Sequence, residues 1–261
     1  MFGTFLSTLS TSIFAGHTLA LVLPRTYNKL YANFSDNPQA ERMKALISEL
    51  FQKILGSGSH HAARLREMLE ALPEGVSRTV SGLVDHRFRM VELPEPAGKV
   101  AVGGTDFDLG AERGMYYVGS GPIEPFVDGA LPFIMAHEMG HVFARDAIVA
   151  GVVATGTATA VAIAARKFGK LGSCATFVFS ALAGVCAACL YLRCVAEPGA
   201  DAFAIEHTTS EERQGAIAFF REIDGRVTTM PLKNRFVSRV LHPSVESRIA
   251  AIEASLGSAP L

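Results

Sequence analysis

The sequence predicts an α+β fold that is mainly helical, with a small sheet and an apolar helical hairpin. Three observations support this prediction. Apolar residues recur every three or four positions through much of the chain, which is typical of amphipathic helices. Short apolar runs at 87–119 are separated by Gly and Pro, which indicates strands. Two uncharged stretches, 147–165 and 171–192, are each about the length of a membrane-spanning helix.

Composition argues against nucleic-acid binding and points to membrane segments or a large core. The 261-residue chain has a net charge of −1 and no run of Lys and Arg, so we do not expect nucleic-acid binding. Charged residues make up only 19% and Trp is absent, which points to membrane segments or a large core. The four cysteines lie in or beside one apolar run, where we expect buried small residues without a redox role: Cys174, Cys186, Cys189 and Cys194.

The first 24 residues form a possible N-terminal membrane segment. Residues 2–23 contain no Lys, Arg, Asp or Glu and are long enough to span a bilayer. A cleaved signal peptide would normally begin with positive charge, which is missing here, and several Ser and Thr residues weaken the hydropathy. A buried or loosely held terminus is the alternative.

Two amphipathic helices are predicted next. Asn37 and Pro38 suit the N-cap and first position of a helix, whose apolar stripe continues to Gly56. A second helix should end before Pro73. We expect His60 and His61, in or beside the intervening turn, to face solvent and not to act as ligands.

The sequence His137-Glu138-Met139-Gly140-His141 is the main functional motif. On a helix, residues four apart lie on the same face, so the two histidines can present imidazoles to one zinc ion with a glutamate beside it as a base. The alternative is two histidines on an ordinary core helix. The run Met115 to Val118, just upstream, is a candidate strand for pairing an extended substrate, or an ordinary core strand.

A hairpin follows the motif. The arms 147–165 and 171–192 are separated by Arg166, Lys167 and Lys170. Small residues recur at intervals of four in each arm, which lets two helices approach closely: Gly156, Ala160 and Ala164, and Ser180, Gly184 and Ala188. We expect a transmembrane hairpin at 147–192 that interrupts a catalytic domain at 25–261, with a buried soluble hairpin as the alternative. Positive charges at both ends leave its sidedness open.

Two carboxylates come directly after the hairpin. Glu197 and Asp201 share a helical face, and a helical zinc site needs a third protein ligand, which Glu197 could supply. Asp201 could orient a ligand imidazole by a hydrogen bond. An acidic first turn of a helix is the alternative interpretation. Further on, Thr209 and Glu212 form a candidate capping box.

The chain then reaches His242 and Pro243, which introduce a short final helix containing Arg248. The order of the motifs over residues 130–255 resembles the HtpX, CAAX prenyl protease and mitochondrial Oma family of zinc metallopeptidases. The resemblance implies a gluzincin fold with one zinc ion. Its further implications concern individual residues: His137, His141 and Glu197 as zinc ligands, Glu138 as catalytic acid/base, Asp201 as hydrogen-bond partner, and His242 and Arg248 as oxyanion or substrate contacts or a gate over zinc.

The expected function is that of a zinc-dependent endopeptidase of protein quality control, acting at a membrane on membrane or misfolded proteins. Its expected partners are a polypeptide substrate and the lipid bilayer, and its expected location is integral to the membrane, with several passes. The alternative is a membrane-anchored, zinc-containing binding or scaffold protein whose site is closed or latent.

Overall fold

A computed structural model describes residues 38–93, 102–105, 114–119, 128–168, 172–229 and 242–257. The expected N-terminal membrane segment at 1–24 lies outside the described residues. The chain is mainly helical, as predicted. The nine helices within the described ranges are α1 (Pro38–Ser57), α2 (His60–Glu70), α3 (Val80–Arg87), α4 (Leu131–Ala144), α5 (Asp146–Phe168), α6 (Ser173–Tyr191), α7 (Glu197–His207), α8 (Ser210–Thr229) and α9 (Val245–Gly257).

The N-terminal helices build one side of the core. Helix α1 buries one stripe of apolar side chains: Met43, Ile47, Leu50, Phe51 and Ile54. Ser59 caps α2 by accepting a hydrogen bond from the backbone N–H of Ala62. His61, expected to face solvent, is instead partly buried, with its ring against Phe143 and Phe203. That expectation was wrong because the first turn of α2 packs against α4 and α7 instead of facing solvent.

Among the residues described between α3 and α4 there are three strands: β1 (Phe88–Leu93), β2 (Val102–Thr105) and β3 (Gly114–Gly119). Their order is β1-β3-β2, with β1 parallel and β2 antiparallel to β3. The run Met115 to Val118 therefore lies in a central strand with neighbours on both sides. The expectation that it pairs with substrate was wrong, since β1 and β2 already occupy its two edges.

Helices α4 and α7 cross at very short distance. A Cβ added to Gly140 on α4 would lie 2.8 Å from the Cα of Ala200 and 3.1 Å from the Cβ of Phe203, both on α7. Real side chains do not tolerate the first distance, so only glycine permits this crossing. The close approach brings the face of α4 that carries both motif histidines against the start of α7.

Helices α5 and α6 form the hairpin. A Cβ on Gly184 would lie 2.6 Å from the backbone oxygen of Ala154 and 3.2 Å from the Cβ of Ala158, so small residues do line the contact. Gly156, by contrast, meets nothing within 4 Å, and the contact in the first arm is shifted by two residues from the predicted one.

The outer surface of the hairpin is apolar. Two stretches are long and apolar enough to cross a membrane, Ile148–Lys167 and Ser173–His207, and the uncharged part of the second ends at Leu192. Among the described residues, every exposed large hydrophobic side chain lies between Ile148 and Val195. The cysteines, expected to be buried, are free, and Cys174, Cys186 and Cys194 are exposed here. The expectation of burial was wrong for these three, because their side chains lie on the outward-facing surface of α6 and of the turn that follows it.

The last helices close the core over α7. A π-helical turn, Leu192–Ala196, joins the hairpin to α7. Before α8, the backbone N–H of Thr209 donates to Glu212 Oε2 (2.7 Å), and the N–H of Glu212 donates to Thr209 Oγ1 (3.2 Å), which confirms the predicted capping box. Helix α8 continues to Thr229, and α9 begins directly after Ser244, whose Oγ accepts from Ser247.

Candidate metal centre

Three buried side chains bring their polar atoms together where α4 meets α7. The Nε2 atoms of His137 and His141 are 3.2 Å apart. Glu197 Oε2 lies 3.6 Å from His137 Nε2, and Glu197 Oε1 lies 3.5 Å from His141 Nε2. The three residues are 7%, 8% and 6% exposed. We call them the α4–α7 cluster.

The sequence places these atoms by simple helical geometry. His137 and His141 are one turn apart on α4, so their rings lie on the same face. Gly140 lets α7 approach that face, and Glu197 is the first residue of α7. The π-helical turn just before Glu197 alters the helical phase at this point, as such turns often do at functional sites.

His137 is oriented by a charged pair behind it. Its Nδ1 lies 2.9 Å from Asp201 Oδ1, and Arg248 donates to both oxygens of Asp201, at 2.8 and 2.6 Å. Arg248 Nη2 is also 3.3 Å from Nδ1, but a ring nitrogen that donates to a carboxylate cannot accept from a guanidinium. The Nδ1–H tautomer follows, and it leaves the Nε2 lone pair aimed at the cluster.

His141 has a carboxylate of its own, which the sequence reasoning missed. Its Nδ1 lies 2.8 Å from Asp146 Oδ2, and the hydroxyl of Tyr191 donates to Asp146 Oδ1 at 2.6 Å. Asp146 reaches back to the histidine because Arg145 adopts a left-handed conformation (φ 56°) that ends α4 and reverses the chain. The left-handed residue at such a helix end is usually Gly or Asn, so the sequence around Arg145 did not predict this turn.

The charges of the cluster are strongly coupled. Burial alone would raise the pKa of Glu197, but His141 and His242 beside its carboxylate hold that pKa far below its usual range. Burial would also raise the pKa of Asp201, yet His137 and Arg248 lower it. Burial lowers the pKa of His141, but Asp146 and Glu197 outweigh burial and raise the pKa to about 10. Without a metal, His141 therefore holds a proton at neutral pH, which a binding cation would have to displace.

The remaining predicted site residues surround this cluster. Glu138 is partly buried on α4, and its charge acts on His141. His242 is about half exposed, with Nδ1 3.0 Å from Glu197 Oε2. Arg248 lies against Asp201 and over the ring of Phe220, with its Cζ 4.3 Å from the ring centroid. Every residue predicted for the site thus lies at this end of α7.

The cluster fits a zinc ion. Tetrahedral zinc with Zn–N distances of 2.0–2.1 Å places its ligand atoms about 3.3 Å apart, close to the separations found between the two Nε2 atoms and Glu197. Glu197 Oε2 is fully buried and makes no hydrogen bond of good geometry to a described residue, although His242 Nδ1 lies 3.0 Å and Arg248 Nη1 3.6 Å from it. Such an atom is costly unless a cation satisfies it. His137, His141 and Glu197 together could hold a metal.

Comparison with protein-family models gives a match. The family model described as Peptidase family M48 matches residues 111–256, more than half of the chain, and its range includes every residue of the α4–α7 cluster. No curated protein and no solved structure matches the chain.

Proposed function

The chain belongs to peptidase family M48, and from this premise we propose that it is a zinc-dependent endopeptidase whose zinc is held by His137, His141 and Glu197. The observation that carries the proposal is the meeting of two imidazole nitrogens with the buried carboxylate of Glu197. Members of this family are in general zinc-dependent metallopeptidases.

Zinc bound at this position would supply Lewis-acid chemistry that polarises the carbonyl of a scissile peptide bond. The carboxylate of Glu138, next to His137 on α4, would accept a proton from the attacking water and return it to the leaving amine nitrogen. Asp201 and Asp146 would keep the Nδ1 protons of the two histidines in place.

Arg248 is proposed as a positioning residue. Its guanidinium makes two hydrogen bonds to Asp201, which in turn holds His137. These contacts favour a role behind the histidine over direct contact with a substrate oxyanion. His242, which is about half exposed and has Nδ1 3.0 Å from Glu197 Oε2, is the better candidate for that oxyanion contact.

We propose β2 as the strand that pairs with substrate. It lies against α4, and among the described residues it pairs with β3 on one side alone. An extended peptide added to the other edge would run beside the helix that carries Glu138.

We propose that the hairpin of α5 and α6 crosses a bilayer, that the substrates are membrane or misfolded proteins, and that the chain is of the HtpX, CAAX prenyl protease and Oma type of the family. The support is the apolar outer face of both helices, from Ile148 to Leu190. Full-length chain expressed in membranes should stay in the membrane pellet after alkaline carbonate extraction. Release into the supernatant would favour a hairpin buried in a soluble assembly.

The test of the peptidase is Glu138→Gln in the full-length, zinc-loaded chain. The variant should keep wild-type zinc content but lose cleavage of a denatured, fluorophore-labelled membrane protein, because only the proton carrier is removed. Glu211→Gln, an exposed glutamate on α8, is the matched control and should cleave normally. Wild-type cleavage by Glu138→Gln would reject the mechanism, and full zinc content in Glu197→Ala would remove Glu197 from the ligands.

The second candidate function is a zinc-containing binding or scaffold protein with a closed site. The short distance between His242 Nδ1 and Glu197 Oε2 favours it, because His242 is close enough to take the fourth coordination position. His242→Ala separates the two. Cleavage should fall about 100- to 1,000-fold if His242 contacts the oxyanion, and should rise if His242 closes the site.

A further inference from the structure

A second group of metal-binding side chains lies at the other end of α7. His207 Nε2 is 3.2 Å from His61 Nδ1, and Glu206 Oε1 lies 3.9 Å from His61 Nδ1 and 3.7 Å from His207 Nε2. All three atoms fall within 4.8 Å of one another. We call these residues the α2–α7 cluster. Nothing in the peptidase chemistry above uses them.

The geometry resembles that of the α4–α7 cluster. There, the nitrogen-to-nitrogen distance is also 3.2 Å, and the carboxylate oxygens lie 3.5 and 3.6 Å from the nitrogens. The distances expected between ligand atoms of tetrahedral zinc are about 3.3 Å. In the α2–α7 cluster the carboxylate is a few tenths of an ångström too far, and Glu206, at 50% exposure, is free to close that difference by rotating its side chain.

A histidine pair joined by one hydrogen bond is the simpler explanation. It accounts for the 3.2 Å contact between His61 and His207, but it leaves Glu206 Oε1 too far from either nitrogen to accept a hydrogen bond. A cation at the centre of the three atoms would interact with all of them.

The two rings are already held in position. The His61 ring centroid is 4.7 Å from that of Phe203 and 5.6 Å from that of Phe143, and the His207 centroid is 4.5 Å from Phe203. The side chain of His207 is only 6% exposed, whereas Glu206 reaches solvent. The aromatic rings fix the two imidazoles on one side, and the exposed carboxylate on the other side leaves a path by which a cation can enter, so the site is preorganised.

The cluster also joins two parts of the chain. His61 belongs to α2, which precedes the residues matched by the family model, while Glu206 and His207 end a helix inside that match. Helix α7 begins at Glu197 and ends at His207, so the two clusters are about 15 Å apart along its axis. A cation here would fasten the N-terminal helices to the peptidase domain without touching the catalytic centre.

We propose that His61, Glu206 and His207 form a second, structural site for a divalent cation of the zinc type, which links α2 to α7. Two imidazoles and one carboxylate are a donor set that zinc accepts, and the hard cations magnesium and calcium do not favour imidazole.

The test counts Co²⁺ bound by the full-length chain in detergent, with Co²⁺ as the only added metal. Wild type should bind two ions per chain, and His137→Ala with His141→Ala should bind one. Adding His61→Gln and His207→Gln to that variant should abolish binding. Two results would overturn the proposal: the variant without the α4–α7 cluster binds no ion, or it binds one ion that is still bound after His61→Gln and His207→Gln are added. In either case the histidines form a hydrogen-bonded pair only.

Glu206→Gln keeps the test decisive if the histidine variants do not fold. In the background lacking the α4–α7 cluster, it should weaken Co²⁺ binding by more than about tenfold, the size of effect seen even for residues behind metal ligands. Glu211→Gln, on the exposed first turn of α8, is the matched control and should leave the affinity unchanged. Equal affinities in the two variants would overturn the proposal. These measurements do not depend on peptidase activity, so the second site can stand if the proposed function fails.

Discussion

A cluster of two imidazoles and one carboxylate lies at each end of α7, and the side chains of the two clusters are held in position by different interactions. At the first end, Asp201 and Asp146 lie behind the ring nitrogens of His137 and His141, and the support is charge. At the other end, His61 and His207 lie against aromatic rings, and the support is packing.

The difference predicts how each end responds to change. A cluster supported by charges should depend on every partner, because one lost charge leaves another buried without compensation. A cluster supported by aromatic packing should tolerate the loss of a polar neighbour but respond to movement of α7. Both ends share that helix, so some changes should reach both.

The largest effect is expected for Arg248→Ala. It should lower the free energy of unfolding by about 3–5 kcal/mol, because it leaves the buried carboxylate of Asp201 without its cation. Chemical denaturation in the presence of chelator measures this.

Arg221→Ala is the matched control for that change. Arg221 pairs with Glu253 at 2.9 Å between α8 and α9, but both side chains are at least half exposed, so the loss should stay below about 1 kcal/mol. Equal losses in the two variants would mean that the Arg248 pair behaves like a surface pair.

Gly140→Ala should disturb both ends of α7. The added Cβ would press on Ala200 and Phe203, and Phe203 also packs against His61 and His207. Overpacking of this kind should lower the free energy of unfolding by about 1–3 kcal/mol, and zinc content should fall as the helices separate.

Gly199→Ala tests the same helix without the contact. A Cβ at Gly199 meets nothing within 4 Å, so this change should raise the free energy of unfolding by up to about 1 kcal/mol. If Gly140→Ala is equally harmless, the close crossing of α4 and α7 does not hold the cluster together.

Asp146→Asn should act on one cluster alone. It removes the charged partner of His141 Nδ1 and should weaken zinc binding by the α4–α7 cluster about 10- to 100-fold. Competition with a chromophoric chelator would measure the affinity. An equal effect on the α2–α7 cluster would contradict the separation of the two ends.

Acidification should lower the free energy of unfolding modestly, through the two histidines of the α2–α7 cluster. Burial is the main reason that the pKa values of His61 and His207 are lowered from 6.5. The unfolded chain therefore binds protons more readily, so stability present above pH 6.5 is lost as pH falls below it. The metal-free free energy of unfolding should drop between pH 7 and 5.5, and the drop should shrink in His61→Gln with His207→Gln. An unchanged slope would exclude this pair as its source.

The sequence predicted much of the candidate site because its residues lie on regular helices. His137 and His141 are one turn apart, and Glu197 and Asp201 are one turn apart, so each pair shares a face whatever the rest of the fold does. Asp146 escaped prediction because its position depends on a left-handed arginine, which no turn rule favours.

Long-range placement was the other obstacle. His61 and His207 are 146 residues apart, and no local pattern connects them. In the same way, local composition identified Met115 to Val118 as a strand but could not tell that it lies between two others. Pairing order depends on the whole sheet, whereas the strand itself depends on a few residues.

The hydrogen bond from Tyr191 to Asp146 joins the last residue of α6 to the first residue of α5. With the hairpin in a bilayer, as proposed, its first and last residues would lie directly beside His141. The π-helical turn Leu192–Ala196 separates Tyr191 from Glu197 by at most about 9 Å along the helix, little more than the depth of the lipid headgroups. Under the proposed function, the enzyme would cleave bonds within a fixed distance of the hydrocarbon, and moving a cleavable sequence farther from a substrate's membrane anchor would take it out of reach.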